Sequence, residues 1–113
     1  MSLRAAALAV ALTGCTAAAP NLSPTPPPRG LALVPAPGGL LVAGSGGREI
    51  GFGRAQAGAL ASVAKVQGAT PVPTGCGRGR QAFRTAEGLV LVFEAGRFVG
   101  WAGVAGAAGR GCA

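Results

Sequence analysis

The hydrophobic positions of this chain fall into short clusters whose spacing changes from one part to the next. The earliest cluster, Ala5 to Leu12, is uncharged and follows Arg4. It is far shorter than the ~20 apolar residues of a permanent membrane-spanning helix. A basic start, an apolar core and small residues beyond it are the three parts of a secretory signal. The next clusters, Leu31-Ala32-Leu33-Val34 and Leu40-Leu41-Val42-Ala43, are bounded by Pro35, Pro37 and Gly38-Gly39. They predict two strands of a hairpin. Gly44-Ser45-Gly46-Gly47 is a turn, and Glu49-Ile50-Gly51-Phe52 a short extended piece leading into a helix.

Between Arg54 and Gln67 the period becomes helical. Arg54, Gly58, Ser62 and Lys65 share one face, while Leu60, Val63, Ala64 and Val66 lie opposite, with Ala57 and Ala59 at the margins. Gly68 is placed to stop the helix, Lys65 suits its last turn, and Pro71 blocks continuation. Gly58 costs up to ~1 kcal/mol relative to alanine, so the helix needs a sheet to pack on. An amphipathic membrane helix is the other use of such a pattern. Three strand signals follow, Gln81 to Thr85, Leu89 to Glu94 and Arg97 to Ala102, joined by Ala86-Glu87-Gly88 and Ala95-Gly96. Gaps that short are hairpin connections, so the strands predict an antiparallel meander with the doubly apolar Leu89–Phe93 at its centre. Simple alternation in the last strand places Phe98 on one face and Val99 with Trp101 on the other. The fold class expected is α+β: a small antiparallel sheet, made of a C-terminal three-stranded meander plus short N-terminal strands, with one amphipathic helix packed on it.

Ile50-x-x-Gly53, Val63, Val66, Gly68 and Pro71, followed by the meander, resemble the small envelope lipoproteins of the outer-membrane-assembly BamE (SmpA/OmlA) and β-lactamase-inhibitor-like group. The resemblance covers about half the chain and bears on fold. That group usually carries two helices before its sheet, and one is readable here.

The small residues after the signal core admit two cuts. One follows Ala17-Ala18-Ala19, but Pro20 would then stand just beyond the scissile bond, where its missing N–H and rigid ring make a poor substrate. The other precedes Cys15. Leu12-Thr13-Gly14-Cys15 resembles the lipobox of bacterial lipoproteins, and the whole chain is similar to short alphaproteobacterial lipoproteins. The resemblance implies cleavage between Gly14 and Cys15, a thioether-linked diacylglycerol on Cys15 and acylation of the new amine, including palmitate. Several acyl chains, at roughly 0.8 kcal/mol per buried methylene, give a stable membrane anchor where one would be marginal. Thr16, rather than aspartate, follows the cysteine, which in such proteins favours the periplasmic face of the outer membrane.

This divides the chain into a signal peptide (1–14), a lipid-anchored tether (15–30) and a folded domain (31–113). Pro24-Thr25-Pro26-Pro27-Pro28 favours polyproline II, and the tether at roughly 3 Å per residue would hold the domain some ~40 Å from the bilayer. The processed chain has about 100 residues, one small domain that is marginal without a staple. Cys76 and Cys112 remain as an even pair in an oxidising compartment, which points to a disulfide tying the helix–sheet loop to the C-terminus.

The net charge is +7. A basic protein meets nucleic acid, anionic lipid or acidic glycan. Beyond the signal, however, Arg29, Arg48, Arg54, Lys65, Arg78, Arg80, Arg84, Arg97 and Arg110 are scattered, without aromatic interleaving, against Glu49, Glu87 and Glu94. That argues against nucleic acid and leaves an envelope protein or an anionic glycan or lipid as partner. Gly77-Arg78-Gly79-Arg80 is a polyanion-binding stretch at most; the wider Gly-x-Gly-x-x-Ala match precedes a strand rather than opening a helix, unlike a dinucleotide site. Histidine is absent, which excludes histidine-based triads and general bases. Two cysteines without histidine or aspartate do not complete a tetrahedral metal shell. No metal, cofactor or catalytic residue is therefore expected. The sequence predicts a lipid-anchored cell-envelope protein with a small non-catalytic binding or structural domain. The alternatives are a soluble periplasmic binding or inhibitor module, or a basic polyanion binder if the signal is not processed.

Overall fold

The hairpin predicted around Gly38-Gly39 forms β1 (Ala32–Ala36) and β2 (Gly39–Ala43), paired antiparallel with Leu33 opposite Val42 and Pro35 opposite Leu40. This computed structural model describes residues 30–77 and 79–112. The predicted signal peptide, all but the last residue of the tether, Arg78 and Ala113 lie outside them. The third strand, β3 (Glu49–Gly51), adds to β2 and completes a three-stranded sheet in the order β1-β2-β3. Gly39 has φ 143° and sits so close to β3 that a Cβ there would overlap the Ile50 carbonyl, so the pairing requires glycine.

The helix α1 runs from Gln56 to Gln67. It starts two residues later than the periodicity predicts, because Gly53 to Gln56 are paired to another strand. Ala55 offers no side-chain cap; the Gln56 N–H donates instead to the Gly96 carbonyl at 2.8 Å, meeting by tertiary contact a need that a capping residue normally meets. Gly68 closes the helix in the left-handed region at φ 73°, its N–H reaching the Ala64 carbonyl. The buried face is Ala59, Val63 and Val66, with Leu60 and Ala64 half-buried and Ala57 exposed. Ala59 is thus at the centre of that face rather than its margin, and Leu60 has turned partly outward. Burial of the two valines is worth about 1.5–3 kcal/mol each, which outweighs the Gly58 cost.

A second sheet has five antiparallel strands in sequence order: β4 (Val72–Thr74), β5 (Arg80–Arg84), β6 (Val90–Glu94), β7 (Arg97–Gly103) and β8 (Gly106–Gly109). The predicted meander is its middle, and β4 and β8 extend it on either side. The β5–β6 turn is held by Thr85, whose backbone bonds Leu89 and Gly88 and whose hydroxyl accepts the Leu89 N–H at 3.1 Å. The β6–β7 turn is Ala95-Gly96, both at positive φ (51° and 76°), the backbone shape that a two-residue hairpin loop favours.

One expectation is corrected by a β-bulge. Val92 faces Gly100 while Phe93 faces Phe98, so Val99 is an extra residue in β7. The extra residue inverts the alternation. Phe98 and Trp101 therefore lie on the same, buried side, and Val99 does not join them.

The first sheet and α1 cover one face of the second sheet. Leu40, Val42 and Ile50 meet Ala59, Val63 and Val66 of the helix and Leu89, Leu91, Phe93, Phe98 and Trp101 below. All four phenylalanines form one row: Phe52–Phe98, Phe98–Phe93 and Phe93–Phe83 have ring centroids 5.1, 5.5 and 5.6 Å apart. Main-chain bonds join the layers too. The Gly53 N–H donates to the Phe98 carbonyl at 2.8 Å and the Phe98 N–H to the Arg54 carbonyl at 2.9 Å. One half of the outer side of β7 thus carries the strand–helix link, and the other half carries β8.

Candidate binding surface

The two cysteines left by the lipobox assignment come together. Cys76 and Cys112 are at disulfide distance, with Cα atoms 4.8 Å apart and a separation of 36 positions in sequence. Cys76 lies between β4 and β5, and Cys112 follows the opposite outer strand, β8. Arg110 to Cys112 therefore forms a strap running back over the face of the five-stranded sheet that α1 does not cover. The strap needs Gly100 beneath it, since a Cβ there would overlap the Arg110 backbone. The Arg110 N–H donates to the bulged Val99 carbonyl at 2.8 Å. Arg80 Nη1 donates to the Gly111 carbonyl at 2.6 Å.

Under this strap Glu94 is held between two arginines. Arg80 Nε is 3.1 Å from its Oε1 and Arg110 Nη1 is 2.5 Å from its Oε2. The hydrogen bond from Arg80, followed by that from Arg110, holds the carboxyl below its ordinary value, against the opposing push of partial burial. Arg80, part of the Gly-Arg-Gly-Arg stretch, is thus engaged within the fold. Glu87 is in the turn before β6, whereas Glu94 ends that strand, and Glu49 is on β3 of the other sheet. The three carboxylates do not converge, and among the described residues no group of three or more metal-ligating side chains comes together. Trp101 is in the core, as the commoner role of such a residue suggests. Its indole Nε1 donates to the Ala36 carbonyl at 2.7 Å, tying β7 to β1.

The remaining described cations divide between two places. Arg84 and Arg97 are on the sheet, with Arg97 Nη1 bonded to the Gly53 carbonyl at 3.2 Å. Arg48, Arg54 and Lys65 surround a cleft of about 340 Å³ between the first sheet and α1, whose lining also includes Leu31, Val42, Ile50, Val66, Ser45, Ser62 and Glu49. Ser45 shapes its rim: the hydroxyl donates to the Val42 carbonyl at 2.6 Å and accepts the Arg48 N–H at 3.0 Å. A smaller hollow shares Leu31 and Val66 with the cleft and includes Gln67, whose amide oxygen and nitrogen are buried without a hydrogen-bond partner.

No family model matches the chain, and no curated protein or solved structure matches it. The site therefore rests on its own geometry. The polar helix face of Arg54, Ser62 and Lys65 was readable in the sequence, but Arg48 and Ser45 join it only through the packing of β2 and β3 on α1. No sequence signal marks that meeting. Cys15 and Gly14, the predicted lipidation and cleavage positions, lie outside the described residues. No helix among the described residues is long and apolar enough to cross a membrane.

Proposed function

We propose that the chain is a lipid-anchored protein of the bacterial cell envelope, whose small folded domain binds a partner rather than performing a reaction. The observation that carries this reading is the pairing of Cys76 with Cys112. Once Cys15 is assigned to lipid, no cysteine is left over, and the pair suits an exported protein because disulfides persist in oxidising compartments. The lipobox at Leu12–Cys15 supplies the route out, the membrane attachment and an outer-membrane destination. The domain offers surfaces in place of reacting groups: its indole is buried and Glu94 is occupied by two arginines. A soluble periplasmic module would share the disulfide and differ only in its cut.

Intact mass of the detergent-extracted protein, beside a Cys15→Ala variant, tests the reading. The expected mass lacks residues 1–14 and carries acyl chains, and the variant loses both the acyl mass and its membrane fractionation. An unmodified full-length mass in both proteins would sink the anchor and the export argument together. A cut after Ala19 without acylation would favour the soluble module.

A further inference from the structure

We propose that the cleft between β2–β3 and α1 binds the anionic headgroup of a membrane lipid together with the first part of its acyl chain. The claim rests on the reading of the domain as a binding module and names its ligand class. Three cations, Arg48, Arg54 and Lys65, face one carboxylate, Glu49, around the opening. Among the described residues none of the three cations is in an ion pair, in contrast to Arg80 and Arg110. An anion is the ligand such a rim selects.

The wall supplies the second half of the specificity. Leu31, Val42, Ile50 and Val66 give the cleft an apolar side, and at about 340 Å³ it is within the ordinary range of small-ligand sites. A bare inorganic anion would leave that side unused, whereas a headgroup carrying methylenes fits both. The adjoining hollow shares Leu31 and Val66 with the cleft and adds Ala32 and Leu33, which extends the apolar side along the path an acyl chain would take. The rim is built rather than loose. The Arg48 backbone is pinned at both ends, its N–H to Ser45 Oγ and its carbonyl to the Val42 N–H at 2.9 Å. The Arg54 carbonyl is tied to β7, and its side chain lies against Gly58, its Nε 3.6 Å from where a Cβ would stand. Fixing such groups in advance reduces the ordering cost of binding. The hollow beside Val72 has only Arg84 for a cation, and the hollow beside Trp101 has Glu87 and no cation. Leu31, where the folded domain begins, is part of the lining, and the proposed anchor keeps the domain tethered to a membrane, so a lipid is the anionic amphiphile at hand.

Lys65 is the single lysine of the chain, which makes it a reporter for occupancy. The full chain, extracted in non-ionic detergent, is acetylated with an amine-reactive ester, and the rate at Lys65 is followed by mass spectrometry. The additions compared are phosphatidylglycerol, phosphatidylcholine and inorganic phosphate. Phosphatidylglycerol should slow acetylation, roughly tenfold at about ten times Kd, and the other two should leave it unchanged. Arg48→Ala with Arg54→Ala should abolish the protection, and Arg84→Ala with Arg97→Ala should keep it. Equal rates with both lipids would overturn the proposal, as would equal loss of protection in both double variants, which is the behaviour of general attraction to an anionic micelle. Protection by inorganic phosphate alone would overturn the lipid assignment. The two readings fail separately: if Cys15→Ala fractionates like the unaltered protein yet Lys65 is still protected, the anchor falls and the cleft stands. If anchoring is intact and phosphatidylglycerol gives no protection, the cleft falls alone.

Discussion

Trp101 shows what one residue does when alternation along a strand is broken. With 8% of its surface exposed, it fills core space and also spends its one polar atom on the Ala36 carbonyl of the other sheet. Replacing it by phenylalanine keeps an aromatic ring and removes the N–H, leaving that carbonyl without its partner. The carbonyl is only partly buried, so the loss of its partner falls at the low end of the cost of an unpaired acceptor, and Trp101→Phe should lower the unfolding free energy by about 1 kcal/mol in urea titration. An unchanged midpoint would mean that neither the N–H bond nor the extra volume of the indole contributes to stability. The placement of Trp101 was half legible. Its burial follows from its residue type, but its face does not, because the bulge at Val99 is specified by the strap and the strand–helix link bonded around it. Ala59 is a similar case: small and apolar, it reads as a margin, and only the packing of the helix into the shared core puts it at the centre.

At the level of elements, the predicted hairpins were legible because Gly38-Gly39, Ala86-Glu87-Gly88 and Ala95-Gly96 interrupt runs of strand-forming residues. The outer strands were not. Val72-Pro73-Thr74 is short and interrupted by proline, and Gly106–Gly109 contains only glycine and alanine, so neither has a strand's composition. They pair because a neighbour offers an open ladder, and the neighbour's sequence does not announce this. The cleft shares that difficulty, since Arg48 and Lys65 belong to different elements. The Arg110–Cys112 strap carries a prediction of its own. Closing a loop of 36 residues is worth about 4 kcal/mol in the chain-entropy account. Paired Cys76→Ser and Cys112→Ser substitutions should remove most of that and lower the thermal midpoint. Native protein that shows two free thiols would contradict the bridge itself.

For the whole molecule, acid should act through the strap. Glu94 has a folded-state carboxyl lowered from its ordinary 4.5, first by the Arg80 hydrogen bond. The unfolded chain, whose carboxyl keeps the ordinary value, therefore binds more protons as pH falls below that point, and the stability due to this group is lost as pH falls through the folded value. Above the ordinary value the contribution is complete. The thermal midpoint, followed from neutral pH down to about pH 3, should fall less steeply in Glu94→Gln than in the unaltered protein. Parallel slopes would show that the Arg80–Glu94–Arg110 group has no part in the acid response.

The same outer strands that escaped prediction limit how copies of this domain can meet through the five-stranded sheet. A row of unpaired backbone groups on an outer strand is a template for a second chain. Here β4 is three residues long and has Pro73, which offers no N–H, at its middle. On the other side β8 is four residues long and ends in glycines at φ 137° and 74° that turn the backbone away from extended pairing, and the rest of that side of β7 is already taken by the strand–helix link. Neither flank of the five-stranded sheet leaves a long run open for recruitment. On the proposed lipid anchor, which would crowd copies on a surface and multiply chance encounters, such blunt flanks favour separate copies over filaments.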